Sequence, residues 1–300
     1  MARWNFAFFD SGVRWDSPDA HPTTMRSLAS FLENPFDDPG ISMAELVAFT
    51  TDHLQRMSAN NPGGELTARI AATTSSLGVV EDCVTDDQGR LGVFDLGAIV
   101  DLRRPSERRH QPSRRPKGFN GVVIESDHDD GREAPHMTFL KTSDLTEAPG
   151  RRFMTDTYAK MVLDPAHIDL FRRYFEVLAD QDRAVLIHCA AGKDRTGVLA
   201  ALTHSLMGVH EDDLLEDYLL TNTAVDLERR APSIAKQLSE MSGRTASHAA
   251  VVAFIGVEEA FLKAAYDAIR AEFGSLDVYF ERALGVTHDR RGRIEARLSA

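Results

Sequence analysis

Ten consecutive residues, HCAAGKDRTG from His188 to Gly197, bring a thiol, a hydroxyl, a glycine and three charged side chains within one short stretch. Ala190, Ala191, Gly192, Lys193 and Asp194 separate Cys189 from Arg195. A loop of this length ahead of a helix can curl its backbone N–H groups towards one centre, where the helix N-terminus also favours an anion. Gly192 permits the sharp bend, and Arg195 offers a planar fork to two oxygens of the anion. Ala190, Ala191, Gly192, Lys193, Thr196 and Gly197 then line a ring sized for a tetrahedral oxyanion. A thiol in such a positive field gives up its proton readily. Cys189 is therefore expected to attack phosphorus in line as a thiolate. Arg195 and the loop amides would stabilise the equatorial oxygens, and water would hydrolyse the resulting phosphocysteine. Thr196 is placed to donate its hydroxyl to the sulfur and improve it as a leaving group. His188 is expected to orient the loop rather than act as a base.

The departing oxygen of a phosphate ester needs a proton, which a carboxyl group can deliver. Asp194, inside the loop, is the first candidate and Asp101 the second; Asp127, Asp129 and Asp130 follow. The structural alternatives are that Asp194 pairs with Lys193 or Arg103, and that Asp101 holds Arg103 or the loop amides. Lys193 is read as a second positive charge over the phosphate, or else as a solvated side chain at the loop apex. The run RRPSERRHQPSRRPK, Arg103 to Lys117, concentrates cations in an otherwise acidic chain. It reads as a solvated loop or a docking strip for phosphoinositide head groups or an acidic peptide. Asp127, His128, Asp129 and Asp130 have the chemistry of hard-metal ligands, but no second cluster completes a site, and a solvated turn is expected. No metal and no organic cofactor is expected.

Parallel strands must deliver this loop. Apolar runs at Gly97 to Leu102, Gly121 to Glu125 and Ala184 to Cys189 read as buried strands. Between the last two, Ala166 to Ala179 places Ile168, Phe171, Phe175 and Leu178 at helical spacing. After the loop, Val198, Leu199, Leu202 and Leu206 mark one side of a helix that Gly208 would cap. Glu211, Asp212 and Asp213 suit the positive end of a following helix, and the chain from there onward is helical in pattern. Before residue 95 the reading is uneven, with helix-like runs at Met43 to Met57 and Leu66 to Leu77. The expected fold class is α/β: a central, mostly parallel sheet flanked by helices. It forms one domain over residues 1–300, comprising a divergent part at 1–94, a catalytic core at 95–210 and a helical C-terminal part at 211–300.

A formal charge of −12, from 34 Lys+Arg against 46 Asp+Glu, opposes broad binding to nucleic acid, which relies on cations displacing counterions. Neither an apolar run long enough to span a bilayer nor a secretion signal is found, and a cytoplasmic protein is expected. Cys83 and Cys189 are the two cysteines, too few for a disulfide framework or a cysteine-based structural zinc site. Cys83, beside Glu81 and Asp82, is read as structural or incidental.

HCAAGKDRTG resembles the signature of the cysteine-dependent protein tyrosine phosphatases. The Lys193-Asp194 pair before the arginine resembles an atypical bacterial branch of the mycobacterial type. VDLRRPSERR (Val100 to Arg109), APHMTFL, FMTDTYAK (Phe153 to Lys160), DYLLTN (Asp217 to Asn222) and GSLDVYF extend the similarity in order over about residues 95–285. The resemblance implies a tyrosine-phosphatase-like fold acting on phosphotyrosine, with phosphoserine, phosphothreonine and phosphoinositides as further substrates. It also implies a helical lid to which Phe254, Phe261, Leu262 and Tyr266 would belong if they are not core. The branch's opening segments survive only as echoes at Asn5, Phe6, Asp10, Arg26 and Ser27. Two other readings remain open on the sequence: a rhodanese-like sulfurtransferase, whose loop is typically one residue shorter, and a phosphate or phosphoinositide reader without turnover. The partner is in either phosphatase case a phosphorylated protein or a phosphoinositide.

Overall fold

The computed structural model describes residues 96–299 apart from short stretches at 111, 114–117, 129–138, 140–142, 144, 191, 225–230, 233, 237–238, 240–243 and 246. The readings made for 1–94, including Cys83 and both helix-like runs, lie outside the described residues.

Strands β1 (Leu96–Asp101), β2 (Val122–Glu125) and β3 (Ala184–His188) form a parallel sheet in the order β2-β1-β3. All six residues of β1 are buried, which explains why it reads as a continuous apolar run rather than an alternating one. Asp101 is in register with both Glu125 and His188, so the polar ends of all three strands meet at one edge. Ligands gather at this carboxyl edge in open parallel sheets. Leu102 N–H donates to the His188 carbonyl at 2.8 Å, continuing the β1–β3 pairing one step beyond the strands.

A six-residue helix, α1 (Pro105–His110), follows β1. Between β2 and β3 lie α2 (Glu147–Met161) and α3 (Pro165–Asp180). The sequence pattern outlined α3 but did not single out α2, whose mean hydropathy is low and whose buried face is mixed, with Gly150, Met154, Tyr158 and Met161 inside. Helix α3 packs on β1 and β2. Its Asp164 cap accepts from the N–H groups of Ala166 at 2.9 Å and His167 at 3.1 Å, with Pro165 preset for the first turn.

A hydrogen bond with the His167 ring, aided by that ring's charge and the two backbone donors, outweighs burial and lowers the Asp164 carboxyl to about 2. Because the folded value lies below the unfolded one, its stabilising effect is complete above about pH 4. It is lost as the pH falls towards about 2. Asp164→Ala should cost about 1 kcal/mol at neutral pH, and denaturant titrations should show the gap from the parent narrowing near pH 3.

Helix α4 (Asp194–Leu206) follows the loop and packs on β3. Its buried residues include Val198, Leu199, Leu202 and Leu206 as expected. Thr196, Ala200, Ala201, Thr203 and His204 are buried too, so it is enclosed on most sides rather than amphipathic. Gly208, at φ 72°, turns the chain away at its end. Then come α5 (Glu211–Ala224), α6 (His248–Ile255), α7 (Glu259–Phe273), α8 (Leu276–Arg282) and α9 (His288–Ser299). Helix α2 packs against α6 and α7, and α9 against α3, so one continuous core joins the sheet to the C-terminal helices. Phe254, Phe261, Leu262 and Tyr266 are all buried in it. No helix among the described residues is long and apolar enough to cross a membrane.

Candidate active site

The chain leaves β3 at His188, and Cys189 lies at the carboxyl edge of the sheet with 3% of its surface exposed. Gly192 adopts φ 66°, the left-handed conformation in which a glycine is least strained. Ala190 is half-buried, and Ala191 lies outside the described residues. Gly197 N–H donates to the Lys193 carbonyl at 2.7 Å, closing the first turn of α4. The N–H groups before it have no intrahelical acceptor, so they give this helix start its anion-attracting character.

Arg195 is fixed by residues far away in sequence. Its Nη1 donates to Glu107 Oε2 at 2.6 Å and its Nη2 to Glu107 Oε1 at 2.8 Å. Nη1 also donates to the Leu102 carbonyl at 3.0 Å. Burial alone would depress the guanidinium, but the Glu107 carboxylate, with smaller contributions from Cys189 and Asp194, holds its pKa above the ordinary arginine value. A guanidinium has five N–H donors. Three are spent on Glu107 and Leu102; among the described residues Nε–H and the second Nη2 hydrogen, which lie along one edge as a fork, have no acceptor.

Glu107 is locally fixed too: its Oε2 accepts from Arg104 N–H at 2.8 Å, the reach-back of a third-position glutamate to the residue capping its own helix. Sequence reasoning missed this residue. Its one local signal is a glutamate two positions after Pro105 at a helix start; the pairing with Arg195 spans 88 residues and has no sequence signature.

Asp101 is 2% exposed. Its Oδ1 accepts from Arg103 N–H at 3.0 Å and Nε at 2.9 Å, and its Oδ2 from Arg103 Nη2 at 2.7 Å. His188 Nε2 lies 3.7 Å from Oδ2. Burial would raise this carboxyl, but the charge of His188 and the hydrogen bonds and charge of Arg103 prevail and hold it below its ordinary value. It is an ionised brace, with no proton to give at neutral pH. His188 Nδ1 sits 3.3 Å from the Cys189 carbonyl, consistent with an orienting role.

Asp194 differs. Its Oδ1 accepts from Tyr158 Oη at 2.8 Å and lies 3.1 Å from Lys193 Nζ, while Oδ2 has no partner among the described residues. Lys193 is not a solvated side chain at the loop apex: it is 5% exposed. Nζ donates to the carbonyls of Phe254 at 3.0 Å and Gly256 at 3.3 Å. An ion pair with Asp194 Oδ1 at 3.1 Å adds a third contact. In this arrangement Lys193 ties the loop to the carbonyl end of α6, where a cation is favoured, with its ammonium held by two carbonyls and the Asp194 carboxylate. Thr196 Oγ1 is buried without a hydrogen-bond partner among the described residues, so the expected bond to sulfur is not made here.

The cationic run is also not a plain solvated strip. Arg103 is buried on Asp101 and also bonds the Ser113 hydroxyl. Arg108 donates to the Arg103 carbonyl at 2.9 Å and reaches Glu125 at 3.6 Å. Asp127 is almost fully exposed, 3.4 Å from Arg108; Asp129 and Asp130 lie outside the described residues. No cluster of three or more metal-binding side chains occurs among the described residues.

A family model described as the tyrosine phosphatase family matches residues 78–300. The chain belongs to that family. A Cupriavidus necator protein provisionally named a tyrosine-protein phosphatase is 30% identical over 203 residues, covering 67% of this chain and 70% of its own. The triple specificity protein phosphatase PtpB of Mycobacterium tuberculosis is 31% identical over 231 residues, covering 66% of this chain and 81% of that protein. A tyrosine-protein phosphatase of Nostoc commune is 27% identical over 174 residues, 55% of this chain and 53% of its own. The phosphatase is thus a phosphoric monoester hydrolase with an α/β fold, and the sulfurtransferase and binding-only readings give way. The matched region starts before β1 and takes in all the C-terminal helices.

Proposed function

We propose that this phosphatase hydrolyses phosphotyrosine in proteins, and also phosphoserine, phosphothreonine and phosphoinositides, through a phosphocysteine at Cys189. The observation that carries the reading is the pair of Arg195 donors left after Glu107 and Leu102 have taken the other three, beside a buried thiol at a helix start. The name of the mycobacterial relative, a triple specificity phosphatase, supports the breadth of substrate.

In the first step the Cys189 sulfur attacks phosphorus and the ester P–O bond breaks. The departing oxygen keeps the bonding electrons and takes a proton from Asp194 Oδ2. The Arg195 fork and the loop amides meet the charge on the equatorial oxygens. In the second step water attacks phosphorus, gives a proton to Asp194, and the S–P bond breaks to regenerate the thiolate. Asp101 acts through Arg103, bracing the loop after β1 whose Leu102 carbonyl steadies Arg195.

The test is to quench Asp194→Asn in acid during turnover of an aryl phosphate and map the protein by mass spectrometry. One added phosphoryl group on the peptide containing Cys189 is expected, because loss of the carboxyl slows hydrolysis of the intermediate. An unmodified Cys189 peptide during steady turnover rejects the covalent route. Parallel rates on phosphotyrosyl, phosphoseryl and phosphothreonyl peptides and on phosphoinositide micelles decide the substrate range.

A further inference from the structure

Asp194 is held by two tyrosines on different helices. Tyr218 Oη on α5 donates to Tyr158 Oη at 2.8 Å, and Tyr158 Oη on α2 donates to Asp194 Oδ1 at 2.8 Å. Tyr158 is fully buried and Tyr218 is 4% exposed. Each phenol has one proton, so the chain has a direction: the Tyr158 proton goes to Asp194, and the Tyr158 oxygen accepts from Tyr218. Tyr218 reaches this place because position 197 has no side chain; a Cβ on Gly197 would lie 3.1 Å from its ring. The Tyr158 ring is seated between Tyr218 and Phe261, with centroids 6.4 and 5.7 Å away.

We infer that Tyr158 and Tyr218 are positioning residues that decide which oxygen of Asp194 carries the transferable proton. Oδ1 accepts from Tyr158 Oη at 2.8 Å and faces the Lys193 ammonium in an ion pair at 3.1 Å, so a donor and a positive charge both favour keeping negative charge on Oδ1. A proton arriving at Asp194 therefore goes to Oδ2. The two contacts on Oδ1 come from different parts of the fold, one from α2 and one from the loop itself. Burial, followed by the Asp194 charge for Tyr158 and set slightly back by the Tyr158 bond for Tyr218, raises both phenols well above the ordinary tyrosine value. Both phenols therefore keep their protons at neutral pH. The relay deepens the proposed mechanism and rests on Asp194 as its proton donor.

The experiment compares kcat and KM on an alkyl phosphate, whose leaving group needs the proton, with those on p-nitrophenyl phosphate, whose leaving group does not. Asp194→Asn should lower kcat on the alkyl ester by about 100-fold or more and on the aryl ester far less. Tyr158→Phe, which removes one hydroxyl, should lower alkyl kcat about tenfold with KM unchanged. Tyr218→Phe, one bond further away, should give roughly a threefold loss. In the Asp194→Asn background, Tyr158→Phe should add nothing. Tyr266→Phe, which removes a hydroxyl bond to Ser205 at the far end of α4, controls for packing and should leave the alkyl-to-aryl ratio alone.

Should Asp194→Asn leave that ratio unchanged, both the acid assignment and the relay are lost. Should it change the ratio while Tyr158→Phe does not, or should the Tyr158→Phe effect persist without the Asp194 carboxyl, the relay alone is lost. If Tyr158→Phe does not fold, as judged by its thermal transition, Tyr218→Phe decides by the same ratio.

Discussion

Cys189→Ser should lower turnover of an aryl phosphate by on the order of 10⁴-fold or more, as removal of a covalent nucleophile typically does, while the ester still binds. A hydroxyl holds its proton far more tightly than a thiol, so the field of a helix N-terminus and one guanidinium does not ionise it. Among the described residues the site offers no free base to do so instead. His188 has its ring nitrogens at 3.3 Å from the Cys189 carbonyl and 3.7 Å from Asp101, and Asp194 is needed as an acid. In the proposed mechanism the phosphate is held by Arg195 and the loop amides, which the substitution leaves in place. The check is steady-state hydrolysis alongside calorimetric titration with a slowly hydrolysed aryl phosphate. Residual hydrolysis within about tenfold of the parent contradicts the nucleophile assignment.

Arg195→Lys should lower kcat by about 10²–10³-fold, the scale of losing a preorganised group that meets transition-state charge. The guanidinium serves two carboxylate oxygens of Glu107 at 2.6 and 2.8 Å, the Leu102 carbonyl at 3.0 Å, and still has two coplanar donors to offer. An ammonium has three donors around one point. Paired with Glu107, it has no second edge for phosphate; turned to phosphate, it leaves a half-buried glutamate without its partner. Affinity for inorganic phosphate should fall along with kcat, because the same fork binds both. A loss below about threefold in both quantities contradicts the fork assignment. Charge is conserved in this variant, so a large effect isolates geometry from electrostatics.

The legible parts of this protein were those encoded by neighbours in sequence. Strands β1 and β3 declared themselves as apolar runs because both of their faces are covered. Helix α3 was visible through the 3.6-residue spacing of its buried face. The Cys189-to-Arg195 loop stood out because its length, its glycine and the helix after it are all local. Helix α2 was not outlined, since its buried face depends on Tyr158 and Gly150 meeting α6 and α7 rather than on an apolar stripe.

Charged residues were the hardest to read, because a buried brace and a solvated side chain have the same letter. In the sequence Lys193 reads as a loop apex or a phosphate ligand; in the fold it lies on the carbonyls at the end of α6. Asp101 and Asp194 were rival proton donors on the sequence. What separates them is that Arg103 takes both oxygens of one, whereas the other keeps Oδ2 open.

By itself the sequence determined the family, the parallel sheet and the place of the thiol, since each follows from short-range spacing that survives without knowing what lies across the fold. Which groups complete the site was decided only by tertiary structure. Glu107 on Arg195 and Tyr158 on Asp194 are partners 88 and 36 residues apart. Hydrogen bonds act over about 3 Å of space whatever the separation along the chain.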